Sequence, residues 1–148
     1  MKTVTISVDE CRELLIKTFE KYGLKEEEAR IVAEEHIDAE MRGHKSHGLF
    51  LVPKQVERLK DKRGKIRVLK ESETMALIDG GDNLGPIVAK FCVDKLLEKV
   101  RNKGLAVVGA VNKYVFVTPG FWARKIAKEG FIGIILSAAP SRVAPLGG

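Results

Sequence analysis

The chain has 148 residues, 45% of them apolar and 31% charged, a balance that sustains a folded core and excludes a disordered tail or a membrane-embedded chain. Its 26 Lys and Arg outweigh 20 Asp and Glu for a formal charge of +6, but the surplus is spread over helix faces and the run from Lys60 to Arg67, which suits small anionic ligands and argues against nucleic acid. No apolar stretch is long enough to span a bilayer, Met1-Lys2-Thr3-Val4 lacks a signal-peptide core, and Cys11 and Cys92 stand apart without CxxC spacing, so reduced thiols and cytoplasmic residence are expected.

Ser7 and Glu10 form an S-x-x-E capping box that opens a first helix, with Cys11, Leu14, Leu15, Thr18, Phe19 and Tyr22 as its inward stripe and Gly23 as its stop. A second helix starts near Lys25, where Glu26, Glu27 and Glu28 suit the positive end of the helix dipole, and turns Ala29, Val32, Ala33, His36 and Ile37 to the core. His36 then reads as a hydrogen-bonded core residue, and no metal site is expected, since His36, His44 and His47 lack a completing ligand at familiar spacing. A third helix carries Leu49, Val52, Val56 and Leu59 inward, with Pro53 in its first turn. Strands are expected over Ile66 to Leu69 and Thr74 to Ile78, followed by a turn from Asp79 to Asn83. Gly85-Pro86 opens a long helix on Val88, Phe91, Cys92 and Leu96, and Gly104 stops it. Leu105 to Val111 reads as a central strand covered on both faces, Pro119 to about Glu129 as a helix burying Phe121, Trp122 and Ile126, and Phe131 to Leu136 as another buried strand. The expectation is a layered α/β (α+β) fold: a helical segment over 1–65 and a partial sheet with covering helices over 66–148. No G-x-G-x-x-G follows a strand, so the α/β part is non-Rossmann. Three or so strands make a thin sheet for such apolar sequences, and the chain reads as truncated partway through a domain.

The chemically densest stretch is Glu40-Met41-Arg42-Gly43-His44-Lys45-Ser46-His47-Gly48-Leu49-Phe50, between the second and third helices. Two readings of these residues stand side by side. In one, an imidazole held with Ser46 at this element end exchanges a proton near neutral pH or holds a carboxylate, and Arg42 supplies a fixed positive charge. In the other, Gly43 is a helix stop, Ser46 caps the next helix and both histidines are solvated.

Arg42-Gly43 with Ser46-His47-Gly48, then Ile78-Asp79-Gly80, Leu84-Gly85, Gly104-Leu105-Ala106-Val107-Val108 and Val143-Ala144-Pro145-Leu146-Gly147-Gly148 together resemble the malate/L-lactate dehydrogenase family. The resemblance implies binding of NAD or NADP outside a Rossmann fold, hydride transfer between nicotinamide and a 2-hydroxy acid, and a homodimer. By the same resemblance His47 and Ser46 are catalytic, Arg42 binds substrate, and Ala139, Pro145, Gly147 and Gly148 bind cofactor.

Four positions depart from the family pattern. Val115 stands where the family has the histidine of N-x-x-H, Leu51 where many members have an arginine, and Ala138 and Ala139 where a cofactor-contacting asparagine or serine is expected. Valine cannot exchange a proton, and losing such a group costs on the order of 10²–10⁴ in rate. The chain is therefore read as an oxidoreductase of this family impaired as a lone chain, whose completing partner would be a separately encoded second half. The alternative is a catalytically silent relative acting as a folded dimer or binding module, and a third idea gives proton transfer to Lys113 or Tyr114.

Overall fold

The structure, a computed structural model, describes residues 4–114 and 118–138. Ser7 accepts the Glu10 N–H at 3.1 Å while the Glu10 carboxylate takes the Ser7 N–H at 2.9 Å, so the capping box starts helix α1 (Val8–Lys21) as expected. Helix α2 (Glu26–Met41) lies against it and buries all five residues assigned to its inner face, together with Glu35 and Ala39. A 3-10 turn (Leu49–Leu51) leads into helix α3 (Val52–Arg58), where Pro53 occupies the first turn. The first core joins α1 and α2 through Leu15, Phe19, Val32, Ala33 and Ile37 and extends to Leu59, Leu84 and Ile87.

The inner stripe of α1 is rotated from its expected position: Leu14 (60% exposed) and Tyr22 (40%) face outward, and Ile16 is buried instead. The chain turns back at Gly23, whose φ of +93° suits a residue without Cβ, and buries Leu24 between the helices. That return selects the Leu15, Ile16, Phe19 side.

Strands β1 (Arg67–Glu71), β2 (Met75–Asn83) and β3 (Val107–Lys113) form a sheet in the order β1-β2-β3, antiparallel then parallel. Helix α4 (Gly85–Lys103) makes the crossover from β2 to β3 and ends at Gly104, φ +74°. The expected turn from Asp79 to Asn83 is instead the second half of β2. Asp79 accepts Arg67 Nη2 at 2.6 Å, the Gly81 N–H at 3.0 Å and Asn112 Nδ2 at 3.2 Å, so one carboxylate ties all three strands. These contacts hold its carboxyl below the usual carboxylate range, Arg67 foremost. A Cβ on Gly80 would stand 2.8 Å from the Asn112 carbonyl oxygen, so the close approach of β2 to β3 requires glycine there.

Two further strand assignments are corrected. Among the described residues β3 lies at a sheet edge, with Val107 and Val111 exposed, and is not covered on both faces. Phe131 to Leu136 makes no strand among the described residues; Ile132, Ile134 and Leu136 are exposed, because no neighbouring strand there pairs with it. Helix α5 (Pro119–Lys128) does bury Phe121, Trp122 and Ile126, which form a second core with Ala89 and Val93 of α4. Within α4, Ile87, Val93 and Val100 are more deeply buried than Phe91, Cys92 and Leu96, which are only half-buried. No helix among the described residues is long and apolar enough to cross a membrane.

Candidate functional site: a cationic cleft between α2 and α5

Helix α2 ends on a backbone signal that sequence predicts. Gly43 adopts φ +78°, and the His44 N–H bonds the Ala39 carbonyl at 2.9 Å, satisfying an orphan helix-end acceptor. The chain then turns tightly, with the His47 N–H on the His44 carbonyl at 2.8 Å. Two α2 side chains fasten the far side of this turn. Buried His36 donates from Nδ1 to the Gly48 carbonyl at 3.0 Å, and the Glu40 carboxylate accepts the Leu49 N–H at 3.0 Å. Gly48 is required by lack of room: a Cβ there would fall 2.2 Å from Glu40 Oε2. His36 is thus the hydrogen-bonded core residue expected, and burial pushes its imidazole below the ordinary range against the opposing pull of the Gly48 and His47 carbonyls.

Ser46 does not cap the following helix. Its Oγ lies 2.9 Å from His47 Nδ1, and the 3-10 turn begins after Gly48. This contact engages Nδ1 and leaves Nε2 as the ring's other hydrogen-bonding edge.

A cleft of about 270 Å³ opens beside this junction, lined by Arg42, His44 and His47 on one wall and by Thr118, Pro119, Gly120, Phe121 and Arg124 on the other. Arg42, at the end of α2, turns its Nε to both oxygens of Asp38, at 3.1 and 3.2 Å. Arg124 of α5 also donates to Asp38, through Nη2. The second wall is attached to α2 a turn earlier, where buried Glu35 accepts the Thr118 N–H at 2.7 Å. The start of α5, from Pro119 to Phe121, lines the same cleft, and no carboxylate is among the described lining residues. Such an arrangement attracts and orients a small anion.

The structure brings Arg42 and His47 to one cleft, with Ser46 behind His47. Leu51 is half-buried in the 3-10 turn and does not line the cleft. Neither do Lys113 and Tyr114: Lys113 lines a separate apolar cavity with Cys92 and Trp122, and Tyr114 packs on the first core beneath the Arg58 guanidinium, 5.1 Å from its ring centre. Ala138 is exposed. Val115, Ala139, Pro145, Gly147 and Gly148 lie outside the described residues. Sequence reasoning missed Arg124, Asp38 and Glu35. Their one signal was polar spacing, with Glu35, Asp38 and Arg42 recurring at helical intervals beside the apolar face of α2.

Comparison with known proteins gives this geometry a family. The profile of the malate/L-lactate dehydrogenase family matches residues 6–148. The malate/(S)-sulfolactate dehydrogenase of Methanothermus fervidus is 36% identical over 147 residues, covering 97% of this chain and 43% of that protein. The malate dehydrogenase of Pyrococcus horikoshii is 32% identical over 149 residues, 98% of this chain and 41% of that one. Its solved structure superposes with a TM-score of 0.83 over 86% of this chain and 38% of its own, at 30% identity. The sulfolactate dehydrogenase structure from Methanocaldococcus jannaschii gives 0.81 at 29% identity, over 85% and 38% of the two chains. This chain thus spans about two fifths of the length of these relatives. With a fold shared over 86% of its length with a solved malate dehydrogenase and a family match over residues 6–148, the chain belongs to the malate/L-lactate dehydrogenase family.

Proposed function

We propose that the chain forms the acid-holding part of an NAD(P)-dependent 2-hydroxy acid dehydrogenase, with malate, lactate or sulfolactate as candidate substrates. The observation that carries this reading is the cleft that sets Arg42 and His47 together, facing the start of α5. Oxidising a 2-hydroxy acid requires a proton to leave the hydroxyl as hydride leaves the adjacent carbon, and requires the carboxylate to be held still. In this reading the Arg42 guanidinium, whose Nε is taken by Asp38, holds the carboxylate through its Nη groups. When His47 donates from Nδ1 to Ser46, Nε2 presents a lone pair that takes the hydroxyl proton; the reverse reaction returns it to the keto oxygen. The reaction's hydride acceptor is supplied by bound NAD or NADP.

The cleft fits the acid and the reacting end of such a cofactor. Its 270 Å³ is below the size that encloses a whole dinucleotide. The remainder of the cofactor is assigned to Ala139, Pro145, Gly147 and Gly148, so that residues 1–65 supply Arg42 and His47 and 66–148 the facing wall and the cofactor side. A homodimer belongs to the same proposal, supported by the family match and open to light scattering.

A second reading, a chain that binds without turnover, is motivated by Val115. One experiment separates the two: NADH and NADPH are titrated into the purified chain by fluorescence, and malate, lactate and sulfolactate oxidation is assayed beside a His47→Asn variant. Turnover abolished by that variant supports the dehydrogenase. Cofactor binding without turnover selects the binding module, and absence of both sinks the proposal.

A further inference from the structure

Two guanidiniums and a single carboxylate form one group at the cleft. Asp38 Oδ1 and Oδ2 both face Arg42 Nε, and Oδ2 also receives Arg124 Nη2. One carboxylate neutralises one guanidinium, so the trio keeps a net positive charge on the cleft wall. Arg124 commits a single Nη2 to the pair. Its Nη1 lies over the first turn of α5, 3.2 Å from where a Cβ on Gly120 would stand, at the edge that lines the cleft. The side chain is 38% exposed, so these donors are open to a ligand. Arg42 and Arg124 come from different helices, and Asp38 is what brings them side by side.

A monocarboxylate needs one such fork. Two adjacent forks fit an acid with two anionic groups. Resting on the assignment of the cleft as the acid site, we propose that Arg124 is a specificity-determining residue that receives the second anionic group, so that the site takes 2-hydroxy acids bearing a distal carboxylate or sulfonate. His44 and His47, on the opposite wall, are left to the hydroxyl end of the molecule.

The test is calorimetric titration of L-malate and L-lactate, alike except for the distal carboxylate, into the chain and its variants. The expected result is malate bound about tenfold or more tighter than lactate by the wild-type chain, the scale of a charge-assisted contact. Arg124→Met should abolish the preference by weakening malate binding more than lactate binding, and Arg124→Lys should restore part of it. Because Arg124→Met also leaves Asp38 unpaired, the double variant Asp38→Asn, Arg124→Met provides the control: the preference stays lost if Arg124 contacts the ligand. Equal affinity for the two acids in the wild-type chain, a preference that survives Arg124→Met, or one that returns in the double variant each overturns this inference and leaves the acid site standing. Failure of both acids to bind the wild-type chain overturns the acid site, and this inference falls with it.

Discussion

Replacing Gly48 with alanine tests how tightly the junction carrying His47 is held. Gly48 has φ −85°, outside the left-handed region that favours glycine. The obstacle is Glu40. An added Cβ would lie 2.2 Å from Glu40 Oε2 and 3.0 Å from both its Cα and Cβ. The carboxylate can swing away only by releasing the Leu49 N–H it accepts at 3.0 Å, a hydrogen bond to a charged group worth about 1.5–3 kcal/mol. The contact with the Glu40 backbone remains and needs a shift of several tenths of an ångström, a strain of about 1–3 kcal/mol. The expected cost is about 3–4 kcal/mol, which for a domain of this size lowers Tm by roughly 10 °C. Urea unfolding followed by Trp122 fluorescence measures it. Glu40→Ala alone should cost only the hydrogen bond, and adding Gly48→Ala to it should cost about 1.5–3 kcal/mol less than Gly48→Ala costs in the wild-type chain, since the carboxylate and its hydrogen bond are already gone. A Gly48→Ala cost below about 1 kcal/mol, or strictly additive variants, would refute this account of the junction.

Three other perturbations act on neighbouring features. His36 has its folded pKa lowered from 6.5, so stability is complete above about pH 6.5 and falls as pH drops through that value toward the folded pKa, because the unfolded chain takes up the proton first. Thermal melts from pH 7.5 to 5 should show this loss, and His36→Gln should flatten it; an equal slope in the variant would assign the effect elsewhere. Cys92 has its thiol pushed up to about 11, two units above the ordinary 9.0, so at pH 8 it should be alkylated about a hundredfold more slowly than in urea, a ratio read by mass spectrometry. Glu35→Ala removes the acceptor for the Thr118 N–H and should cost about 2–3 kcal/mol in urea unfolding, whereas Glu35→Gln keeps an acceptor and should cost about half as much; equal losses would mean that the charge matters and the hydrogen bond does not.

Where sequence reasoning succeeded, local rules coincided with burial. The Ser7–Glu10 box, the Pro53 first turn and the Gly43 and Gly104 helix ends are set by hydrogen bonds spanning five residues or fewer, and all were legible. The inner face of α2 was legible for a related reason, because small and β-branched residues at helical spacing leave only one side that packs. Errors arose where a distant partner decides the outcome. Asp79-Gly80-Gly81-Asp82 reads as a turn because its residues favour turns, and it is a strand because Arg67 and Asn112, 12 and 33 positions away, satisfy Asp79. Continuous apolar runs predict burial but cannot name the neighbour, and Val107 to Val111 therefore ended at an edge among the described residues. At the site, Arg42 and His47 were visible as a motif. Arg124, 86 positions from the carboxylate it shares with Arg42, was not.

The second half of α2 explains why the cleft depends on this helix more than on the loop holding His47. Between positions 35 and 42 the helix must pack a core and also present polar groups in two directions. Toward the junction it offers His36 and Glu40, whose bonds to Gly48 and Leu49 set where His47 begins. Toward α5 it offers Glu35 and Asp38, which hold the Thr118 backbone and the Arg124 guanidinium. Burying Glu35 and His36 is costly, and the cost is offset only while each keeps its hydrogen bond. A shift of α2 by one residue would rotate both sets of partners by about 100° and separate the cleft's walls together. The apolar packing of Val32, Ala33 and Ile37 therefore acts on chemistry at a distance: it fixes the helix register, and the register sets the spacing between His47 and the paired arginines.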